Sequence, residues 1–263
     1  YPYENISITE NQINYWLPGE TEYVPNTYFR LCPMVAESTT NEFNFKHVCG
    51  ILKFSIKGTK QINRLELWGN NNEAISGYGY IDLTSENPIL SIPTDAPSSG
   101  RGIIMSIDNL QLSSTATDFY FIVPPIEFSK GLSLNITYLN DDLSESSIKK
   151  STSKSITVSR SVMKTFSIFD TDELIEEQED RIYDALMNFY NAASGDKWIN
   201  NTNWGSEKPF REWYGITEDE VGRVVEIILP SNNLRGDLTS CLNPLFTLEE
   251  LRWLDLSIGS LTG

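Results

Sequence analysis

The residue types that usually perform chemistry are scarce in this 263-residue sequence. Because His47 is the single histidine, most catalytic triads, histidine metal centres and histidine acid–base pairs are excluded. The three cysteines, Cys32, Cys49 and Cys241, follow no zinc-ligand spacing. Two interpretations of Cys32 and Cys49 stay open: a disulfide between them, or free thiols that pack as small apolar side chains. We therefore expect no cofactor and no metal.

Carboxylates are the remaining candidates for acid–base chemistry. The sequence has 36 Asp and Glu against 20 Lys and Arg, a net charge of −16. Glu226 and Asp255 fall on neighbouring predicted strands, as paired glycosidase carboxylates do, but alternating charges are ordinary on the outer face of repeated strands. The sequence has no GxSxG, HExxH, phosphate-loop or dinucleotide-binding glycine motif. We predict that the chain is not an enzyme, and its acidity argues against a nucleic-acid partner.

Charge and periodicity divide the chain at about residue 170. Residues 1–169 carry 17 acidic and 13 basic side chains, whereas residues 170–263 carry 19 acidic and 7 basic ones. The step in composition predicts two domains.

The first part has the period of β-strands. Leu52, Phe54 and Ile56 alternate with polar residues, and residues 132–138 repeat the pattern. Short runs of this kind, separated by turn-rich spacers, predict an antiparallel β-sandwich over residues 45–169. Residues 1–44 alternate weakly, and edge strands, an extended arm and a piece of something larger all stay open for them.

A helix pattern opens the second part. Asp172 is a favoured N-cap, and the acidic residues after it suit the positive end of the helix dipole. Gly195 supplies a stop signal. The apolar residues that fall on one helical face are Ile175, Ile182, Leu186, Phe189, Tyr190 and Ala193.

A leucine pattern then occurs twice. The first copy, LxxLxLxxNxLxG, is matched by Val224, Ile227, Leu229, Asn232, Leu234 and Gly236. The second copy begins 27 residues later and is matched by Leu251, Leu254, Leu256, Leu261 and Gly263, with Gly259 in place of the asparagine. This period is that of leucine-rich repeats. The leucines should pack inward, and the asparagine should bind backbone groups at the bend.

Side chains between the inward leucines should point outward. The five residues concerned are Glu226, Ile228, Arg252, Trp253 and Asp255. A solvated strand face is one interpretation, but a tryptophan flanked by arginine and aspartate on a concave surface is typical of an interaction hot spot. We predict a partner-binding face there, which requires Trp253 to be exposed.

The stretch between the helix and the first repeat resembles the N-terminal cap of plant-type leucine-rich repeat proteins. The positions that match the cap are Trp198, Trp204, Trp213 and Gly215. The resemblance implies a cap and about one and a half repeats over residues 170–263, with the cap aromatics packed in a core rather than stacked on sugars. Because a solenoid needs about three repeats and a terminal cap, we expect the uncapped end near Leu256 to self-associate or fray.

The first part resembles the fimbrillin-like surface lipoproteins of gut and oral Bacteroidetes. The residues that carry the likeness are Phe45, Cys49, Gly50, Leu52, Gly58, Phe119, Phe121, Pro124, Pro125, Gly131, Arg160 and Lys164. It implies a transthyretin-like sandwich, export, a lipid anchor outside this chain, and a location on the outer membrane or outside the cell. It also implies a preceding β-domain, of which Tyr1-Pro2-Tyr3 would be the late part and residues 1–44 a remnant.

The sequence thus predicts a mainly β protein with a small α/β part, an antiparallel β-sandwich followed by a capped, short leucine-rich repeat solenoid, and the resemblance to fimbrillin-like proteins implies that the sandwich is transthyretin-like. We expect a cell-surface adhesion or protein-binding module that recognises a protein or glycan on host or neighbouring cells. The alternative is a structural fimbrial or pilus-like subunit that assembles by strand addition, which an exposed sheet edge in the first part would favour.

Overall fold

A computed structural model describes residues 6–9, 11–25, 32–36, 38, 40, 42–95 and 100–262. The chain forms two compact units, Tyr1–Tyr138 with Lys149–Thr171, and Leu139–Ile148 with Asp172–Gly263. Strands predominate, which confirms the predicted mainly β class. The expectations for Tyr1-Pro2-Tyr3 and Gly263 lie outside the described residues.

Short strands make up the chain as far as Asp170. Their bounds are β1 (Ile6–Ile8), β2 (Gln12–Leu17), β3 (Glu20–Glu22), β4 (Met34–Val35), β5 (Lys46–His47), β6 (Gly50–Lys57), β7 (Gln61–Gly69), β8 (Gly77–Asp82), β9 (Leu90–Ser91), β10 (Gly102–Gln111), β11 (Thr117–Val123), β12 (Ile126–Phe128), β13 (Leu132–Leu139), β14 (Glu145–Ser151), β15 (Ile156–Val158), β16 (Met163–Thr165) and β17 (Phe169–Asp170).

These strands form several sheets. The larger ones have the orders β1-β2-β8-β9, β14-β13-β7-β10-β3 and β11-β6-β16, and two pairs are β12-β15 and β4-β5. Most neighbours in the described part are antiparallel, but β3 runs parallel to β10, and β16 and β17 run parallel to β6. Of the described strands within residues 1–44, β2, β3 and β4 pair with later strands of the first unit, and β1 pairs with β2.

Strand β6 lies between two layers of apolar side chains. Its alternate residues Leu52, Phe54 and Ile56 are fully buried, and the Phe54 ring stacks on Phe166 with 4.5 Å between centroids. On the opposite face, Ile51 belongs to a second buried cluster with residues of β2, β8 and β9. Successive side chains of a strand lie on opposite faces, so one face of β6 is apolar throughout, and the other carries Lys53, Ser55 and Lys57 beside the buried Ile51.

Residues 171–262 contain two α-helices and five short strands. Their bounds are α1 (Thr171–Ala192), β18 (Ile216–Glu218), β19 (Val224–Ile228), β20 (Arg235–Asp237), α2 (Leu238–Leu245), β21 (Trp253–Asp255) and β22 (Ser260–Thr262). They form the sheets β18-β19-β21 and β20-β22. Neither helix is long and apolar enough to cross a membrane.

Helix α1 differs from the prediction at both ends. It begins at Thr171, so Asp172 lies in the first turn instead of capping it. It ends at Ala192, and the residue with left-handed backbone is Ser194 (φ 56°), not Gly195. Gly195 is required for another reason: a Cβ atom there would lie 2.1 Å from the Tyr190 ring.

The 27-residue frame of the repeats is correct for the first strand of each repeat and wrong for the second. Glu226 pairs with Trp253, an offset of 27 residues, but Gly236 pairs with Leu261, an offset of 25. Leu261 therefore lies opposite Gly236 and not opposite Leu234. The second repeat is shorter because one residue, Gly259, separates its turn from β22, whereas residues 232–234 separate the first turn from β20.

Candidate binding surface

A three-stranded sheet carries the predicted binding residues. Strand β18 is antiparallel to β19, and β19 is parallel to β21. Thr217, Glu226 and Trp253 are direct partners across the three strands, so their side chains share one face. Ile228 and Asp255 are partners two residues further along and lie on the same face. The sheet thus presents two rows of side chains on one surface.

The five predicted residues all retain contact with solvent. Trp253 is 61% exposed, Arg252 is exposed, and Glu226, Ile228 and Asp255 are half-buried. In the described part of the chain, no hydrogen bond or ion pair engages the Glu226 or Arg252 side chain. The structure places Glu226 beside Trp253 and Ile228 beside Asp255, with Arg252 just before β21. The exposure that the binding hypothesis requires of Trp253 is present.

Backbone hydrogen bonds hold the strand that carries Trp253. The Arg252 amide donates to the Val225 carbonyl at 2.8 Å, and the Leu229 amide donates to the Asp255 carbonyl at 2.7 Å. These bonds lie on either side of Trp253, so its main chain is fixed on both sides. A fixed backbone lowers the conformational entropy that binding would remove.

The two carboxylates that could suggest a hydrolase are not strand partners of each other. In the strand register Glu226 lies opposite Trp253, and Asp255 lies opposite Ile228. The Asp255 carboxylate accepts a hydrogen bond from the Ser257 amide at 2.9 Å. Hydrogen bonds from Ser257 lower the pKa of Asp255. A general acid needs the opposite shift, so Asp255 contributes a fixed negative charge.

Sequence reasoning missed Thr217 and a group of charges near the sheet. Arg223 pairs with Asp219, Nη2 to Oδ2 at 2.6 Å, and with Glu250, Nη1 to Oε1 at 3.6 Å. Thr217 was missed because β18 has only three residues, too few for strand alternation to be recognised. The four-residue spacing between Asp219 and Arg223 was the one feature of the sequence that could have indicated this ion pair.

The cap aromatics are packed, in agreement with the prediction. Trp198 and Trp213 are buried, and Trp204 lies between them, with ring centroids 4.9 Å and 5.3 Å away. Each indole donates its N–H to a backbone carbonyl, those of Ala193, Tyr214 and Lys208 for Trp198, Trp204 and Trp213 respectively. The two buried indoles therefore have no free ring face for a sugar. The cap tryptophans belong to the same apolar core as the repeat strands.

No protein-family model matches the sequence, and no curated protein is similar to it in sequence. Among solved structures, the chain is similar to a candidate cell adhesion protein from Bacteroides ovatus, at 14% identity over 65% of this chain and 61% of that one, with a TM-score of 0.42. It is also similar to a leucine-rich repeat protein from Bacteroides thetaiotaomicron, at 15% identity over 81% of this chain and 25% of that one, with a TM-score of 0.25. The chain spans less than two thirds of either structure, and likenesses this distant carry no argument about function.

Proposed function

We propose that the protein is a cell-surface or extracellular binding module, used in adhesion, whose contact surface is the β18-β19-β21 sheet. The observation that carries the proposal is the 61% exposure of Trp253 on a strand fixed by backbone hydrogen bonds. Large aromatic side chains of this kind are the commonest anchors of protein interfaces, because they bury much apolar area at little cost in side-chain entropy.

The neighbours of Trp253 suit a protein partner. Glu226 is the strand partner of Trp253, Asp255 lies two residues along on the same face, and Arg252 precedes Trp253 in the chain, so charges of both signs lie close to the anchor, the composition of a polar rim. Charges at a rim select a partner and its orientation more than they add affinity. We therefore place a protein first among the ligands and a glycan second.

The remaining parts of the proposal come from the resemblance of residues 1–169 to fimbrillin-like lipoproteins. In this proposal the β-sandwich holds the repeat sheet away from the cell, and a lipid anchor outside this chain attaches the protein to the outer membrane. Fractionation of the native host cell, followed by surface proteolysis, tests this location. Detection only in the cytoplasm would contradict it.

An array of host matrix proteins and glycans tests the binding function. The natural chain is compared with a variant in which Arg252, Trp253 and Asp255 are changed to Ala, and with Phe246→Ala. Phe246 is the matched control, because it is 78% exposed in the same unit but lies after α2, outside the sheet. We expect specific binding that the triple variant loses and Phe246→Ala keeps. Binding that survives in the triple variant would place the site elsewhere.

A structural subunit that assembles by strand addition is the second candidate. The observation that favours it is β16, whose three residues are exposed at the edge of the β11-β6-β16 sheet. Unpaired edge groups can accept a further strand. Sedimentation of the purified chain distinguishes the two functions: concentration-dependent polymers that persist in the triple variant would favour the subunit.

A further inference from the structure

Two of the three cysteines face each other in the first unit. In the β4-β5 pair, Met34 is the partner of His47. Continuing this antiparallel register by one residue places Pro33 opposite Val48, and the Val48 amide donates to the Pro33 carbonyl at 3.1 Å. One more residue places Cys32 opposite Cys49. The hairpin therefore brings together two thiols that are 17 residues apart in the sequence.

The register, continued to Cys32 and Cys49, gives a separation that suits a disulfide. Directly opposed residues next to a hydrogen-bonded pair have Cα atoms about 4.5 Å apart, within the range of about 4.4 to 6.8 Å found for disulfides. Cys32 and Cys49 are 4% and 1% exposed and belong to the same apolar cluster, so both side chains point to one side of the hairpin. Both are free thiols in this structure.

The surroundings of the pair favour redox chemistry over metal binding. The Cys32 sulfur lies 3.2 Å from Nδ1 of His47, the single histidine in the sequence, and an imidazole nitrogen at this distance can accept the thiol proton. Burial raises the pKa of Cys32 to about 11, so the thiol needs a base to become reactive. Among the described residues, no group of three or more His, Cys, Asp and Glu side chains could hold a metal ion.

We propose that Cys32 and Cys49 are a redox pair that closes to a disulfide when the chain meets a disulfide oxidant, either a small molecule or a protein. Nδ1 of His47 accepts the Cys32 proton, and the thiolate attacks one oxidant sulfur and releases the other as a thiolate. The Cys49 thiol then passes its proton to the first released oxidant thiolate, and its sulfur attacks Cys32 in the mixed disulfide, which releases the second oxidant thiolate to take up the proton from His47. The protein loses two protons and two electrons, and the oxidant becomes two thiols.

Closure should stabilise the first unit. It closes the loop between the two cysteines and so removes conformations from the unfolded chain, an effect that grows with loop length. Cys241 provides an internal control, because it is buried in the core of the second unit and has no cysteine partner among the described residues.

The test refolds the natural chain in a buffer of reduced and oxidised glutathione, so that burial does not limit access to the thiols. We expect a mass decrease of about 2 Da, a fall in free thiols from three to one, and a peptide that joins Cys32 to Cys49. The melting temperature of the first unit should rise by about 5 °C or more relative to the reduced chain. Cys241→Ser should behave in the same way.

Two results would overturn the proposal. One is a chain that retains three free thiols at equilibrium in this buffer, and the other is a cross-link that involves Cys241. Both measurements use the natural chain, so they hold even if Cys32→Ser or Cys49→Ser fails to fold. Where those variants do fold, each should keep its remaining thiol or form a glutathione adduct, and neither should lose about 2 Da.

Discussion

Asn232 shows how one repeat residue connects the repeat to its cap. Its side chain is buried, accepts a hydrogen bond from the Asn200 amide at 2.7 Å, and donates to the Asn200 carbonyl at 2.8 Å. The motif predicted an asparagine that binds backbone groups, and it does so, but the groups belong to the cap loop. The sequence could not identify them, because the partner lies 32 residues away.

We predict that Asn232→Ala destabilises the second unit by about 2 to 4 kcal/mol, because it leaves two backbone groups of Asn200 without partners. Urea unfolding followed by near-ultraviolet circular dichroism of the cap tryptophans measures the change. Asn191→Ala, at an exposed position near the end of α1, is the control and should shift the midpoint little. Equal midpoints for the two variants would show that the Asn232 bonds do not hold the cap.

Asp118 is the corresponding polar anchor of the first unit. Its carboxylate pairs with Lys53 at 2.7 Å and accepts a hydrogen bond from Ser55 at 2.5 Å. Burial alone would raise the pKa of Asp118, but the bonds from Lys53 and Ser55 lower it overall. A lowered pKa means that the folded state favours the charged form, so the stabilisation is present above the unfolded value of 3.8 and is lost as the pH falls below it.

Asp118→Asn should therefore destabilise the first unit at pH 6 by about 1 kcal/mol, and the difference from the natural chain should shrink at pH 3. Guanidinium unfolding at the two pH values measures it. The control is Asp108→Asn, at an exposed position of β10. A difference that is the same at both pH values would contradict the assigned role of the Asp118 charge.

At the scale of elements, residue spacing correctly predicted the strands with a regular pattern, and it failed to predict the pairing of strands where the second repeat is shorter than the first. The alternation of Leu52, Phe54 and Ile56 predicted strand β6, and the 27-residue spacing predicted the pairing of β19 with β21. The pairing of β20 with β22 was predicted wrongly. The second repeat is shorter by residues that follow its turn, and the leucine pattern has no fixed residue type there that would reveal the missing positions. The parallel strands β3 and β16 have three residues each, too few to show a period.

The glycine of the repeat motif provides an element-scale prediction. Gly236 has φ 148°, and a Cβ atom there would lie 2.2 Å from the carbonyl oxygen of Ala192 at the end of α1. Gly236→Ala should therefore force β20 and α1 apart and destabilise the second unit by about 3 kcal/mol. Thermal unfolding of the chain measures the loss.

Gly259→Ala is the matched control for this change. A Cβ atom at Gly259 would lie no closer than 3.3 Å to a neighbour, the Leu256 carbonyl oxygen. We expect a shift of the melting temperature well below that of Gly236→Ala. A larger effect at Gly259 would mean that close approach to α1 is not the reason for a glycine at 236.

At the scale of the whole molecule, most of the net negative charge and the exposed Trp253 lie in the same part of the chain. Residues 170–263 carry a net charge of −12 out of the −16 of the chain, and this part contains the exposed Trp253 sheet. In the proposed function, the acidic residues of this part favour partners with basic surfaces, and association with them should slow as salt screens the charges. The first unit contributes the buried cysteine pair and, in the proposed function, the spacing from the cell.

The most direct test of the central claim is the dissociation constant of Trp253→Ala for the first ligand that the array captures. Loss of an anchor side chain worth about 2 kcal/mol corresponds to a roughly 30-fold weaker complex. We predict at least this change for Trp253→Ala, and less than about twofold for Phe246→Ala. A dissociation constant that Trp253→Ala leaves unchanged, in a variant with natural circular dichroism, would contradict the assignment of this sheet as the binding surface.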